Sequence, residues 1–341
     1  MEPIPLCTRH VVATSVEDFA LLDRAPEALV GALANSTKAF ARMQELGRAL
    51  PVGMSLPCPP VPENLDMPKT ERYIALCKEA FRPRMQDKAA FYYLRGAEDF
   101  RALRAAVLAL TDMTGRTIIA ELHADEDGRM DDGTDCLAAV GVLQRIGVST
   151  VILNAANPEA LEDALERIAP YARLSVGVSV PCAWLREGVR LTNVEALLPA
   201  AHESASRVWQ ALDGYAGGRT VSRDHDDVIL APDGHNAHFI DAVTDISDEI
   251  ACDHHLEENL LEIEDQEAAA LKLLIQEEDD LYNLETDLYM LYRPVCLCVE
   301  TPELLEKALR IYCGLAIYDG TWEQDPALVK YFSEKYGMIC L

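Results

Sequence analysis

The stretch "RTIIAELHADEDGRMDDGTDCLAAVGVLQRIGVSTVILNAANPEALEDALERIAPYA", residues 116–172, decides the fold. "RTIIAEL" (116–122) is a short apolar run with the composition of a strand. It ends in the polar loop "HADEDGRMDDGT". "CLAAVGVLQRIG" then has helical spacing and stops at Gly147. "VSTVILN" (148–154) is a second strand. "NPEALEDALERIAPYA" is a second helix, with Pro158 in its first turn. Strand and helix in strict alternation require a parallel sheet with crossover helices.

The same unit repeats outward in both directions. "VVAT" (11–14) precedes a helical stretch running through Glu45, and "LPVGMSLP" (50–57) follows. "AAFYYL" (89–94) leads into the helix "EDFRALRAAVLAL". "LSVGVSV" (174–180) is another strand, "VEALLPAAHESASRVWQAL" reads as helical, and "DDVILA" (226–231) closes the series. Seven strands before residue 240 imply a (β/α) barrel or a barrel-like parallel sheet. After residue 245 an acidic helical stretch, "HLEENLLEIEDQEAA", leads to the strands "ALKLLI", "RPVCLCV", "LAIYDG" and "GMICL", separated by helices. The expected organisation is therefore a barrel over 1–244 and a smaller α/β unit of about four parallel strands over 245–341.

Composition sets the outer bounds. Half of the 341 residues are hydrophobic, and no apolar run approaches the ~20 residues needed to span a bilayer. The start, "MEPIPLCTRH", has no basic region followed by an apolar core, so a cytoplasmic protein without a leader is expected. The ten cysteines include no C-x-x-C pair and read as reduced thiols. The two thiols of "CLC" (296–298) are set aside as a chelate on the reading that they face opposite sides of a strand. A net charge of −27 argues against nucleic acid and anionic membrane as partners. Between Asp245 and Met290 there are sixteen acidic residues, one Lys and no Arg. That segment, 245–290, is either a solvated face or a docking surface for a basic partner.

Against this frame the residues carry a resemblance. "AELHADEDGRMDDGTDCLAAVGVLQRIGVSTVILNAANPEALEDALERI" resembles the middle of the homocysteine S-methyltransferase barrel of cobalamin-dependent methionine synthases. Asp127, Gly128, Arg129, Gly133 and Thr134 match that family's loop F-D-x-x-G-R-x-x-x-G-T, and Asn154 matches the Asn of its G-x-N-C strand end. "SVGVSVPCAWL" is similar to the strand ending P-N-A-G-L, through Pro181, Ala183 and Leu185. "VILAPDGHNAHFI" (228–240) is similar to I-I-G-G-C-C-G-T-T-P-E-H-I, through Gly234 and Ile240. "RPVCLCVETPELLEKALRIYCGLAIYDGT" resembles the start of the pterin barrel that follows in methionine synthases.

The resemblance implies zinc, cobalamin and methyltetrahydrofolate as cofactors, but the ligand positions are lost. The family's three zinc thiolates fall on Ala155, Pro232 and Asp233, and its two pterin-binding residues on Cys298 and Tyr318. An alkyl group and a pyrrolidine ligate no metal. In this register the family's first barrel strand is missing, which leaves an edge and makes pairing with a second copy an expectation. The functional expectation is a divergent homocysteine S-methyltransferase-like protein, non-catalytic or altered, that binds a ligand or partner in methionine and one-carbon metabolism. A corrinoid or one-carbon protein would be its partner through the acidic segment. The alternative is an active methyltransferase with replaced metal ligands.

Residues that could still carry chemistry sit at strand ends. Cys182 and Glu121 are the candidates for catalysis, and Asn154, Cys182 and His123 for ligand binding. Asp233, His235 and His238 are the candidates for a rebuilt metal site, with Cys182 arriving from a neighbouring strand. Against this, "DGHN" is also ordinary turn chemistry.

Overall fold

The computed structural model describes residues 11–21, 29–46, 50–223, 228–263 and 267–341. The first seven strands of a parallel barrel are β1 (Val11–Ala13), β2 (Leu29–Ala34), β3 (Val52–Pro57), β4 (Phe91–Arg95), β5 (Thr117–Ala124), β6 (Val148–Ala155) and β7 (Ser175–Val180). A two-residue strand, β8 (Leu191–Thr192), precedes β9 (Val194–Pro199), which is the eighth stave. Val11 pairs with both Leu29 and Leu197, so the ring closes. The open edge expected at the first strand is therefore absent, and with it the reason it gave for pairing with a second copy.

The crossover helices are α1 (Val16–Leu21), α2 (Thr37–Glu45), α3 (Lys69–Phe81), α4 (Phe100–Met113), α5 (Cys136–Arg145), α6 (Pro158–Ile168) and α7 (Cys182–Glu187), with α8 (Ala205–Ala211) after β9. Most begin at a side-chain cap where the chain leaves a loop. Asp99, Asp135 and Asn157 each accept a backbone N–H from the first turn of α4, α5 and α6.

Two staves differ from the sequence reading. β2, "LVGALA", lies inside the stretch expected to be helical, and β9, "VEALLP", opens what reads as a helix. Ala and Leu are good helix formers, and here barrel pairing overrides that preference. Conversely, "DDVILA" supplies no stave. Residues 226–227 lie outside the described residues. After β10 (Gly218–Arg219), which pairs with β8, Ile229–Leu230 form β11, antiparallel to β12 (Phe239–Ile240). This hairpin lies outside the barrel against α5, where the missing Cβ of Gly141 makes room for Leu230 and Pro232.

The second sheet has five parallel strands in chain order: β13 (Ile246–Ala251), β14 (Ala270–Ile275), β15 (Val295–Val299), β16 (Ile317–Tyr318) and β17 (Ile339–Cys340). Helices α9 (Leu256–Glu262), α10 (Glu278–Asp287), α11 (Pro302–Ile311) and α12 (Pro326–Tyr336) join them. The expected count of about four omits β13, whose acidic "ISDEIA" the sequence reading assigns to no element. Cys296 and Cys298 share one face of β15, beside Lys272 and Leu274 in register. The opposite-face reading is wrong because residues two apart in a strand point the same way.

The two parts meet through helices. Arg104 of α4 is buried and donates to the Leu309 and Arg310 carbonyls at the end of α11, 2.6 and 2.8 Å away. Glu285 of α10 accepts the Lys69 and Thr70 N–H groups that open α3, at 2.8 and 2.7 Å. The hairpin turn joins in: the Leu315 N–H donates to the Pro232 carbonyl at 2.9 Å.

Candidate functional site

Alternate residues of the barrel strands face the lumen. Leu33, Tyr93, Ile152 and Leu198 form one buried layer across it, separate from the core between strands and helices. Following the alternation toward the C-terminal ends places Ser55, Arg95, Glu121, His123 and Asn154 around the mouth. In closed (β/α) barrels this is the end that carries chemistry.

Glu121 is the centre of that mouth. Its Oε1 accepts from the Tyr93 hydroxyl at 2.9 Å and from Asn154 Nδ2 at 2.7 Å. Its Oε2 accepts from the Gly96 N–H at 3.3 Å. Burial and the neighbouring Glu121 charge push the Tyr93 hydroxyl well above its ordinary pKa, so it stays a donor. Arg95 follows Tyr93 two residues on and donates from Nε to the buried Ser55 Oγ at 2.8 Å. The Cys58 N–H donates to the Arg95 carbonyl at 2.9 Å and locks the ends of β3 and β4 together. Among the described residues, the terminal nitrogens of Arg95 have no partner. A held carboxylate thus stands beside an available guanidinium. His123, in register with Asn154, points to the same rim, but its 3.6 Å pairing with Asp131 joins two exposed groups.

Cys182 opens α7 just past β7 and meets Glu203, from the loop after β9. Its thiol donates to Glu203 Oε2, and its N–H lies 3.3 Å from Oε1. Burial and the Glu203 carboxylate push the thiol up to about 11, and Glu203 in turn is held below the usual carboxylate range by accepting that bond. A thiol that keeps its proton at neutral pH is a poor nucleophile.

The residues of the family-like loop hold the loop itself. Gly128 and Gly133 take φ of 73° and 82°, a region glycine enters without strain. Arg129 donates to the Gly133 carbonyl at 2.5 Å and to Asn236 Oδ1 at 3.2 Å, tying the loop to the hairpin turn. Asp233 is the hub of that turn. It is buried and accepts the His235 and Asn236 N–H groups, each at 2.7 Å, and His238 Nε2 at 2.7 Å. The structure brings Asp233 and the His238 side chain together, engages His235 through its backbone, and leaves Cys182 with Glu203 instead. Among the described residues, no group of three or more His, Cys, Asp or Glu is placed to hold a metal ion. Ala155 ends β6, Pro232 lies in the hairpin, and the zinc implied by the resemblance does not fit these residues.

Sequence reading named Glu121, His123, Asn154 and Cys182 and missed Tyr93, Arg95, Ser55 and Glu203. The signal for three of these was present as spacing. "FYYLR" places Tyr93 and Arg95 on the same face as Phe91, and "VGMSLP" places Ser55 on the face of Gly53. Glu203 lies in a stretch that reads as helix and carries no such signal. No described helix is long and apolar enough to cross a membrane.

No protein-family model and no curated protein matches the chain. Similar solved structures include the Escherichia coli homocysteine methyltransferase MmuM. Its apo form shows 12% identity and a TM-score of 0.44, over 60% of this chain and 95% of that one. Its metallated form shows 15% identity and a TM-score of 0.37, over 61% and 80%. The carboxyl transferase domain of Rhizobium etli pyruvate carboxylase is also similar, at 10% identity and a TM-score of 0.39, over 61% and 48%. The barrel itself rests on the strand pairing that runs from Val11 round to Leu197, not on these likenesses.

Proposed function

We propose that the chain is a divergent homocysteine S-methyltransferase-like barrel that binds a small zwitterion of the amino-acid class at its C-terminal mouth, in methionine and one-carbon metabolism, without zinc-assisted methyl transfer. The observation that supports this best is the placement of Glu121 and Arg95 toward the C-terminal ends of two adjacent strands, β5 and β4. Glu121 is fixed by Tyr93, Asn154 and Gly96, and Arg95 is seated on Ser55. A carboxylate with an adjacent amide oxygen suits an ammonium group, and a guanidinium suits a carboxylate. The lost thiolates support the rest of the reading. The stave that closes the barrel ends at Pro199 and continues into Ala200 and Ala201, so neither this position nor the hairpin offers the pair of cysteines. On the same reading the exposed carboxylates of the acidic segment 245–290, such as Glu257, Glu277 and Asp279, are the surface offered to a basic face of a corrinoid or one-carbon protein.

Isothermal titration calorimetry with L-methionine and L-homocysteine, alongside their deaminated and decarboxylated analogues, tests the mouth. The amino acids should bind and the analogues should bind at least tenfold more weakly. Arg95→Met should abolish the discrimination for the carboxylate, and Glu121→Gln that for the ammonium. Absence of amino-acid binding would overturn the ligand class. One equivalent of tightly held zinc with methyl transfer to homocysteine would overturn the non-catalytic reading and restore the alternative.

A further inference from the structure

Among the described residues, the other end of the barrel is hollow. The lumen of a closed (β/α) barrel is ordinarily filled by layers of branched side chains. Here the N-terminal half has glycine or alanine at four lumen positions: Gly31, Gly53, Gly177 and Ala196. The Phe91 ring lies over Gly53 so closely that a Cβ there would meet it at 2.1 Å, and Ile152 covers Gly177, where a Cβ would meet its Cδ1 at 2.6 Å. Both side chains are drawn onto the barrel wall, and the space they leave is a cavity of about 600 Å³ below the Leu33, Tyr93, Ile152 and Leu198 layer. Solvent reaches it from the N-terminal end. Phe91, Ile119 and Thr150 face the lumen yet are only partly buried, while the four residues of the layer above are at most 6% exposed.

We infer that this cavity is a second binding site, independent of the mouth, for an uncharged, largely apolar molecule. Its size sets the ligand's size. At the ~30 Å³ that one water molecule occupies in the liquid, the space takes roughly twenty non-hydrogen atoms. Its lining sets the chemistry. Among the described residues the lining is mainly apolar, with Val12, Phe91, Ile119 and Ala196, and its polar members include Thr150, Ser175 and Glu195. At the rim Glu195 accepts from Ser175 Oγ at 2.7 Å and from Arg223 at 3.3 Å. Among the described residues that line the cavity there is no Lys, Arg or His to receive an anionic head group. An alcohol or amide at the ligand's outer end, with a hydrocarbon chain or fused rings inside, matches this order of groups. Burying apolar surface in a preformed cavity supplies the affinity.

The test uses the full chain and the neutral dye N-phenyl-1-naphthylamine. Its fluorescence should rise with saturable one-to-one stoichiometry, and 1-dodecanol should displace it at least tenfold more effectively than dodecanoate does. Ala196→Phe and Thr150→Phe fill the space and should each weaken dye binding at least tenfold, with melting temperatures unchanged or raised. Photolabelling of the unaltered chain by an alkyl-diazirine alcohol, read by mass spectrometry, should mark peptides 91–95, 117–124 and 148–155. This last measurement stands even if a filling variant does not fold. Three results would each overturn the site: no saturable dye binding, binding that survives both filling variants, or labels confined to other peptides. Equal displacement by dodecanoate would overturn the uncharged class.

Discussion

Cys182 keeps its proton because burial and the Glu203 carboxylate both oppose the thiolate. Alkylation by iodoacetamide at pH 8, followed at this residue by mass spectrometry, should therefore be slow. Glu203→Gln removes the charge, lowers the thiol pKa, and should speed alkylation by up to about tenfold for each unit of pKa recovered. An unchanged rate in the variant would show that burial alone protects the thiol. Asp233 works in the opposite sense. Burial tends to raise its pKa, but the bonds from His238, Asn236 and His235 outweigh that and hold it below the usual carboxylate range. A depressed folded-state pKa means stability that is present above the unfolded value, about 3.9, and is lost as pH falls through the folded value. Asp233→Asn should cost about 2–3 kcal/mol near neutrality, from bonds to a buried charge, and the loss should shrink below about pH 4. Urea titrations at pH 7 and pH 3.5 measure both. A pH-independent difference would mean that Asp233 is not ionised in the fold.

At the scale of elements, α3 is the helix whose start depends on a distant residue. Its N-cap position is Pro68, which has no side chain to accept an N–H, and the first-turn donors go instead to Glu285 of α10. Glu285 also takes the Thr70 hydroxyl at 2.5 Å and Arg101 at 2.7 Å. Glu285→Ala orphans these donors and leaves Arg101 without its buried partner, so it should destabilise by about 3–5 kcal/mol in denaturant titration. Glu285→Gln keeps an acceptor and should cost less; equal costs would show that packing, not capping, is lost. This long-range cap also shows where sequence reading stops. Local pattern was enough for β5, α5, β6 and α6, because β-branched runs and helical spacing alternate there without ambiguity. It failed at β2 and β9, whose Ala- and Leu-rich segments become strands only because the ring must close on them, and it passed over β13, whose acidic residues mask a strand pattern. It placed Glu121 and Asn154 at the mouth by strand ends alone, but the bonds from Tyr93 to Glu121 and from Arg95 to Ser55 depend on registers between strands. No single segment encodes a register.

For the whole molecule, the question is whether the closed barrel of β1 to β9 stands without the sheet of β13 to β17 and its helices. α4 gives reason to think it does not. Its residues from Ala102 to Leu110 are all buried, Arg104 included, and a helix with no wet face must be covered on both sides. The barrel strands cover one side. On the other, Arg104 lies under the end of α11, where desolvation lowers its pKa and the two α11 carbonyls are its hydrogen-bond partners. Cutting the chain after residue 244 would expose an apolar helix face around an arginine stripped of both acceptors, together with the unsatisfied start of α3. The fragment 1–244 should therefore aggregate or bind an apolar dye strongly, while the full chain unfolds in urea as one cooperative transition seen identically by circular dichroism and tryptophan fluorescence. Trp184 and Trp209 lie in the barrel part and Trp322 in the second part, so fluorescence reports on both. A fragment 1–244 that stays monomeric, with the full chain's unfolding midpoint, would show that the two parts are independent and that α4 tolerates water. In that case the buried Arg104 would be a feature of docking and not a condition of folding.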